Sequence, residues 1–370
     1  MNWNTAFGVV SLLGLSLASC SGAGEPSVGE ASDGEQAAEL SRALPSTTAL
    51  LTHEHQIRDL AVEDGEVYWI SAAVADPNQP LVSTGRVGRI SKQGGKAHVI
   101  ASNQHGGGAV AVNGKNVYWT ASATNNGTPV PAIFSAPRAG GTAVRFAPTW
   151  TGFVPGIYPG NAPMDPPYLL ADSERVYALG DGGRLYRIPI ATQTPEFIVQ
   201  GANHTSIALS SGEMFESECR TCGGFVSETS KKAPSVNEFQ GAGAATSFIF
   251  DNVCCVWSMA VSHSSLYWAS VFDGIVSAQL NGAPSPAGAP STLVPPSEDP
   301  NDAARWIAVV GSNLYWSTAG GALRSVPQAG GTVTTIVASG VDPDTRIAAD
   351  SDSVYWVSAN ATSIERTRVR

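Results

Sequence analysis

Hydrophobic and polar positions along the chain repeat seven times with a long period. Setting Tyr68, Tyr118, Tyr177, Phe215, Tyr267, Tyr315 and Tyr355 in one column places Leu60, Val110, Leu169, Ile207, Met259, Ile307 and Ile347 eight positions before them. The next column is alanine in six rows (Ala61, Ala111, Ala208, Ala260, Ala308, Ala348), with Leu170 as the exception. A short polar or Gly-containing turn separates the two halves of a row, as at 63–66, 113–116 and 310–313. Each row therefore predicts a strand, a tight turn and a second strand. Third and fourth strands follow most aromatics. The sixth row has them at 322–327 and 332–338 around the turn 328–331; the first has them at 88–91 and 96–101, and the second starts its third at 133–137. Glycine pairs in these turns suit a hairpin that needs positive φ.

A period of about 40–50 residues built of short strands is that of an all-β propeller, one four-stranded blade per repeat. The seventh row reaches residue 370 with only three strands, whereas an unpaired strand-like stretch, 47–52, precedes the first row. The expectation is a seven-bladed ring closed by that stretch as the outer strand of the last blade. Closure would leave no gap between first and last blades.

The rows resemble the YWTD repeats of the low-density lipoprotein receptor class. Tyr118-Trp119-Thr120 matches three of the four letters, and Tyr68-Trp69, Tyr267-Trp268, Tyr315-Trp316 and Tyr355-Trp356 match two. Tyr177-Ala178 and Phe215-Glu216 depart from the pair, and no Trp of these rows has the family's Asp two positions on. That family's propellers have six blades. The resemblance implies a propeller with a binding role over roughly 47–370, and transfers no ligand.

Composition narrows the function. With 21 basic against 31 acidic residues the formal charge is −10, which argues against a phosphate-tracking nucleic-acid binder and against electrostatic docking on an anionic bilayer. Residues 6–18 form a short apolar run ending in Leu17-Ala18-Ser19-Cys20. Its length suits a signal-peptide core, and its end resembles a bacterial lipobox, which implies cleavage before Cys20 and lipid on Cys20. The first five residues contain no Lys or Arg, a departure from the usual signal. Residues 21–46 are rich in Ser, Gly, Ala, Glu and Pro, and bury too little to offset ordering entropy. The expected organisation is a signal peptide at 1–19, a lipidated acidic tether at 20–46 spanning about 25–30 Å, and a propeller at 47–370. The expected location is a bacterial cell envelope, anchored by lipid in the outer membrane and facing the periplasm or the cell surface.

Long connections are expected on one face, at 72–84, 121–131, 148–167, 216–224 and 294–304, while turns on the other face are short. Recognition is assigned to the long-loop face. With Cys20 lipidated, Cys219, Cys222, Cys254 and Cys255 remain, near one another on that face by topology. Export makes disulfides the default, with bridges between the two segments favoured over local pairs or a four-thiolate zinc site.

No phosphate loop, zinc-protease helix or nucleophile elbow is present. His53 and His55 read as alternating on an edge strand; His105 and His204 read as loop residues near the channel. Residues just before each inner strand should ring the central opening, making Arg58, Asp59, Tyr168, Trp257, Arg305, Trp306 and Arg346 ligand candidates, with Asp59 and Arg346 also positioned to pair. Two functions follow from different classes. One is a non-catalytic binding scaffold for a protein, peptide or glycan, with no cofactor; the alternative is a lactonase- or lyase-like enzyme at the channel mouth, with a divalent metal.

Overall fold

The computed structural model describes residues 46–72, 85–106, 108–125, 128–148, 168–179, 185–199, 204–218, 224–231, 246–253, 256–262, 264–280 and 289–369. Of the two units into which the chain divides, Met1–Leu44 lies outside these residues, and Pro45–Arg370 holds all the strands. They form seven separate four-stranded antiparallel sheets. Six run in chain order. Blade 1 is Ile57–Glu63, Glu66–Ser71, Val87–Ser91 and His98–Ala101; blade 2 is Val110–Val112, Asn116–Asn125, Thr128–Pro137 and Val144–Phe146. Blade 3 is Leu169–Ala171, Arg175–Leu179, Leu185–Pro189 and Glu196–Val199; blade 4 is His204–Leu209, Glu213–Glu218, Gly224–Ser230 and Thr246–Val253. Blade 5 is Val256–Val261, Ser265–Ser270, Gly274–Gln279 and Ser291–Val294; blade 6 is Ala304–Val310, Asn313–Thr318, Leu323–Pro327 and Thr334–Val337. Blade 7 combines Ala348–Ala349, Ser353–Val357 and Ile364–Arg368 with Thr47–Leu51, whose Thr47 and Leu51 pair with Thr367 and Ile364. The chain is a seven-bladed β-propeller, closed by its N-terminal strand.

Packing explains the aromatic columns. A blade is covered on both faces by its neighbours, so its second strand is buried on both sides; every residue of Ser265–Ser270 and of Ser353–Val357 is buried. The column aromatics point one way and Trp69, Trp119, Trp268, Trp316 and Trp356 the other, all buried. Each Trp needs a matched neighbour on the third strand. Trp69 lies across Gly88, where a Cβ would stand 2.3 Å from the indole. Ala178 in blade 3 sits opposite Tyr186, so bulk lost on one strand is returned by the other. Glu216 takes the tryptophan position in blade 4, fully buried, and accepts a hydrogen bond from the Ser227 hydroxyl at 2.9 Å.

Several boundaries differ from expectation. Glu216 to Glu218 continue a strand, because Ser227 partners the buried carboxylate; the polar run reads as loop only when that partner is not seen. Most of 121–131 is hairpin, with the strands paired out to Asn125 and Thr128. Turns on the opposite face are not uniformly short, since Ser230 and Thr246 bound a long connection in blade 4. His53 and His55 follow the strand Thr47–Leu51 and lie outside it; His53 has φ +62°.

The short-turn face carries a seven-fold interlock. The residue after each third strand reaches the preceding blade: Lys92, Arg138, Ile190, Lys231, Leu280, Gln328 and Val369. Lys92 pairs with Asp350 and Asp352, Arg138 with Asp64 and the Tyr68 hydroxyl, and Lys231 with Asp172 at 3.0 Å. Gln328 accepts from the Tyr267 hydroxyl at 3.0 Å. Where the preceding aromatic is Phe215, with no hydroxyl, the partner is Leu280, packed in the same apolar cluster. Ile190 and Val369 likewise pack in the clusters of Tyr118 and Tyr315. Burial raises the Tyr177 and Tyr355 hydroxyls, and the carboxylates of Asp172 and Asp350 that accept from them raise them further.

Candidate functional site

The column expected just before each inner strand lies inside that strand in blades 1, 4, 5 and 6, where pairing with the second strand extends further than the apolar pattern; it converges on the axis and divides into two clusters. In the first, Asp59 of blade 1 is 5 % exposed, and Arg346 of blade 7 forks onto it at 2.7 and 2.9 Å. The same guanidinium donates to the carbonyls of Leu60, Val110 and Leu169, one each from blades 1, 2 and 3. Asp59 also accepts from the backbone N–H of Leu60 at 2.9 Å and of Val110 at 2.8 Å. One ion pair thus ties the inner strands of four blades. Burial pushes the Asp59 carboxyl up to about 6, with Arg346 and the two N–H groups pulling against it.

Across the ring, Tyr168 of blade 3 meets Trp306 of blade 6 with centroids 5.6 Å apart. The Tyr168 hydroxyl accepts from Ser206 at 3.2 Å and reaches the Trp257 carbonyl at 3.5 Å; Trp306 Nε1 donates to the Pro343 carbonyl at 3.1 Å. Beside them, Arg305 lays its guanidinium over the Trp257 ring at 3.6 Å. Both backbones are held from the blade before. Thr205 Oγ1 donates to the Val256 carbonyl at 2.7 Å; Ser258 Oγ donates to the Arg305 carbonyl at 2.6 Å and accepts from Ile307 N–H at 2.9 Å. Burial lowers the Arg305 pKa, and the charge of Asp344 opposes that.

The remaining candidates stay apart. Arg58 is exposed and its side chain, among the described residues, donates to Gln56 at 3.4 Å, although its charge acts on Asp342. His105 is exposed in the connection from blade 1 to blade 2. His204 opens the inner strand of blade 4, paired through its backbone with Glu218. Cys20, Cys219, Cys222, Cys254 and Cys255 lie outside the described residues. Glu218, Gly224 and Val253 do not: they end adjacent, paired strands, so both cysteine segments start from one end of blade 4. Asp342 and Asp344 enter the site without having been singled out in the sequence. Burial raises Asp342, and the nearby Asp344 adds to it. The signal was the run Asp342-Pro343-Asp344 just ahead of the column residue Arg346. Among the described residues, no group of three or more His, Cys, Asp or Glu is placed to hold a metal ion.

No protein-family model matches the chain, and no curated protein matches it. Solved structures do. YCF48 bound to a D1 peptide aligns with TM-score 0.54 and 13 % identity over 89 % of this chain and 96 % of that one. YCF48 from Cyanidioschyzon merolae gives 0.53 and 10 % over 88 % and 99 %. PorZ, a bacterial surface component of the type-IX secretion system of Porphyromonas gingivalis, gives 0.55 and 13 % over 88 % of this chain, which spans only 38 % of PorZ. At these identities the likeness is one of fold. It places the chain among seven-bladed propellers whose solved members include peptide-binding and cell-surface proteins.

Proposed function

We propose that this protein is an exported, lipid-anchored binding propeller that recognises a protein or peptide through its long-loop face. The observation that carries the reading is the asymmetry of the two faces. Three basic residues of the short-turn face, Lys92, Arg138 and Lys231, are committed to neighbouring blades, whereas the channel mouth presents Arg305 stacked on Trp257 with no ion-pair partner among the described residues. Phe272, 63 % exposed, lies in the second-to-third-strand turn of blade 5 on that same face. Exposed aromatic and guanidinium groups on a rigid scaffold are what interface anchors are made of. Among the solved neighbours, one is bound to a peptide and another is a bacterial surface component of a secretion system, which supports a binding role. Cys20 supplies the anchor in this reading, and bridges between the Cys219/Cys222 and Cys254/Cys255 segments stiffen two of the recognition loops. The YWTD-like rows belong to the same reading, as a repeat suited to binding.

Position-specific photocrosslinking in intact cells tests it. A photoreactive residue at Phe272 should give a discrete adduct, and one at the exposed Ala139 of the short-turn face should give none; equal labelling from both would refute the face assignment. The same cells carrying Cys20→Ala should lose lipid labelling and membrane retention.

A further inference from the structure

We propose that the Arg305–Trp257 pair is the anchor for the free α-carboxylate at the end of a peptide chain. The inference rests on the binding reading above and names its ligand chemistry. Arg305 makes no hydrogen bond or ion pair through its side chain among the described residues. Its Nε is shut from solvent without a partner, and so is Trp257 Nε1. Guanidinium groups that a fold uses for its own stability look different here: Arg346 contacts one carboxylate and three carbonyls, and Arg138 contacts Asp64 and Tyr68. The terminal nitrogens of the Arg305 guanidinium are not shut off, so an acceptor that reaches them adds a charge-assisted hydrogen bond that the fold does not already make.

The chemistry of that acceptor follows from the surroundings. A guanidinium fork matches a planar carboxylate with two parallel hydrogen bonds. A multiply charged phosphate is disfavoured, because Asp344 acts on Arg305 electrostatically, Asp342 lies close by, and the chain carries a formal −10. An acidic sugar needs an open aromatic face on which to stack. At the pair itself none is offered among the described residues: one face of Trp257 is covered by Arg305, Trp306 and Tyr168 are buried at 4 % and 7 % exposure, and the exposed aromatic, Phe272, stands on the neighbouring loop. What remains is one carboxylate on a compact, singly charged ligand whose neighbouring atoms can reach an exposed apolar side chain. Phe272 supplies that side chain at the end of blade 5 where Val256 pairs with Ser270, next to Trp257 in sequence. The Thr205 and Ser258 hydrogen bonds fix both backbones beforehand, which lowers the ordering cost of binding.

The test uses purified full-length protein and two random hexapeptide pools, identical except that one ends in a free carboxylate and the other in an amide. Affinity selection with mass spectrometry should retain the free-acid pool about tenfold or more over the amide pool, the loss expected for one charge-assisted hydrogen-bonded pair. Arg305→Gln should erase that preference, and Arg305→Lys should restore only part of it, since a point charge replaces the fork. Asp344 is exposed, so Asp344→Asn carries little risk to folding. It should strengthen free-acid binding about two- to fivefold by removing one like charge near the ligand. Equal retention of both pools overturns the carboxylate while leaving the binding reading intact. Retention of neither pool, with capture of an oligouronate instead, overturns the peptide. A preference that survives Arg305→Gln, or is indifferent to Asp344→Asn, overturns the assignment to this pair.

Discussion

The two faces of the propeller use similar residues for opposite ends. On the short-turn face, Lys92, Arg138 and Lys231 each cross to an acid of the preceding blade, and the gap is filled by Ile190, Leu280 or Val369 where no charge is needed. At the channel mouth, Arg346 does the same work on a larger scale, whereas Arg305 does none of it. Two arginines stand at neighbouring positions of one structural column region, and only one is consumed by the fold. What sets Arg305 apart is its place: an unpaired guanidinium stacked on Trp257 at the channel mouth, beside the column that the fold otherwise uses for itself.

The comparison can be broken hardest at the closure both faces share. Deleting residues 46–53 removes the outer strand of blade 7, Leu50 with it, and uncovers the cluster of Ile57, Trp69 and Ile364 against which Leu50 packs. The urea midpoint should fall for the whole domain in one transition, by more than any single substitution achieves. An unchanged midpoint would mean the ring does not depend on its N-terminal strand. Next in size, Arg346→Met strands Asp59 in the axis without its counter-charge and should cost about 3–5 kcal/mol, read from denaturant unfolding. The pH dependence of the intact pair has a definite sign. Because Asp59 titrates near 6 when folded and near 3.8 otherwise, the native state holds a proton that the unfolded state has lost between those values. Its contribution is therefore fully present below about pH 4 and is lost as pH rises through 6. Asp59→Asn should flatten that part of the stability profile; an unaltered slope would place the titration elsewhere.

Much of this architecture was legible in the sequence, and the illegible remainder has a common cause. The aliphatic and aromatic columns record burial within one blade, a local pattern with a fixed spacing, so inner and second strands and the closing strand could be read directly. Arg346 could be placed near Asp59 by closure of the ring, yet its reach to Val110 and Leu169 could not, because backbone carbonyls leave no trace in a sequence. The boundary error at Glu216 arose the same way: a buried carboxylate satisfied by Ser227 is indistinguishable, in sequence, from an exposed one. The interlocking column was missed because Lys92, Ile190, Leu280 and Gln328 share no chemistry. It becomes a column only when each is set beside the aromatic of the blade before it.

That last point yields the finest test. Blade 4 has Phe215 with Leu280 against it, and blade 5 has Tyr267 donating to Gln328. If residue and partner form a unit, the Phe–Leu solution should be transplantable one blade on. Tyr267→Phe alone leaves Gln328 Oε1 without its donor, and Gln328→Leu alone leaves the Tyr267 hydroxyl facing a methyl group and removes the bond from Gln328 Nε2 to the Gly311 carbonyl. Each single change should cost about 0.5–1.5 kcal/mol. The double variant should cost less than their sum by about 0.5–1 kcal/mol, because both orphaned polar groups of the pair are then gone together. Additive losses in the double-mutant cycle would mean that the two side chains are merely neighbours, and that the seven contacts of the short-turn face arose one by one.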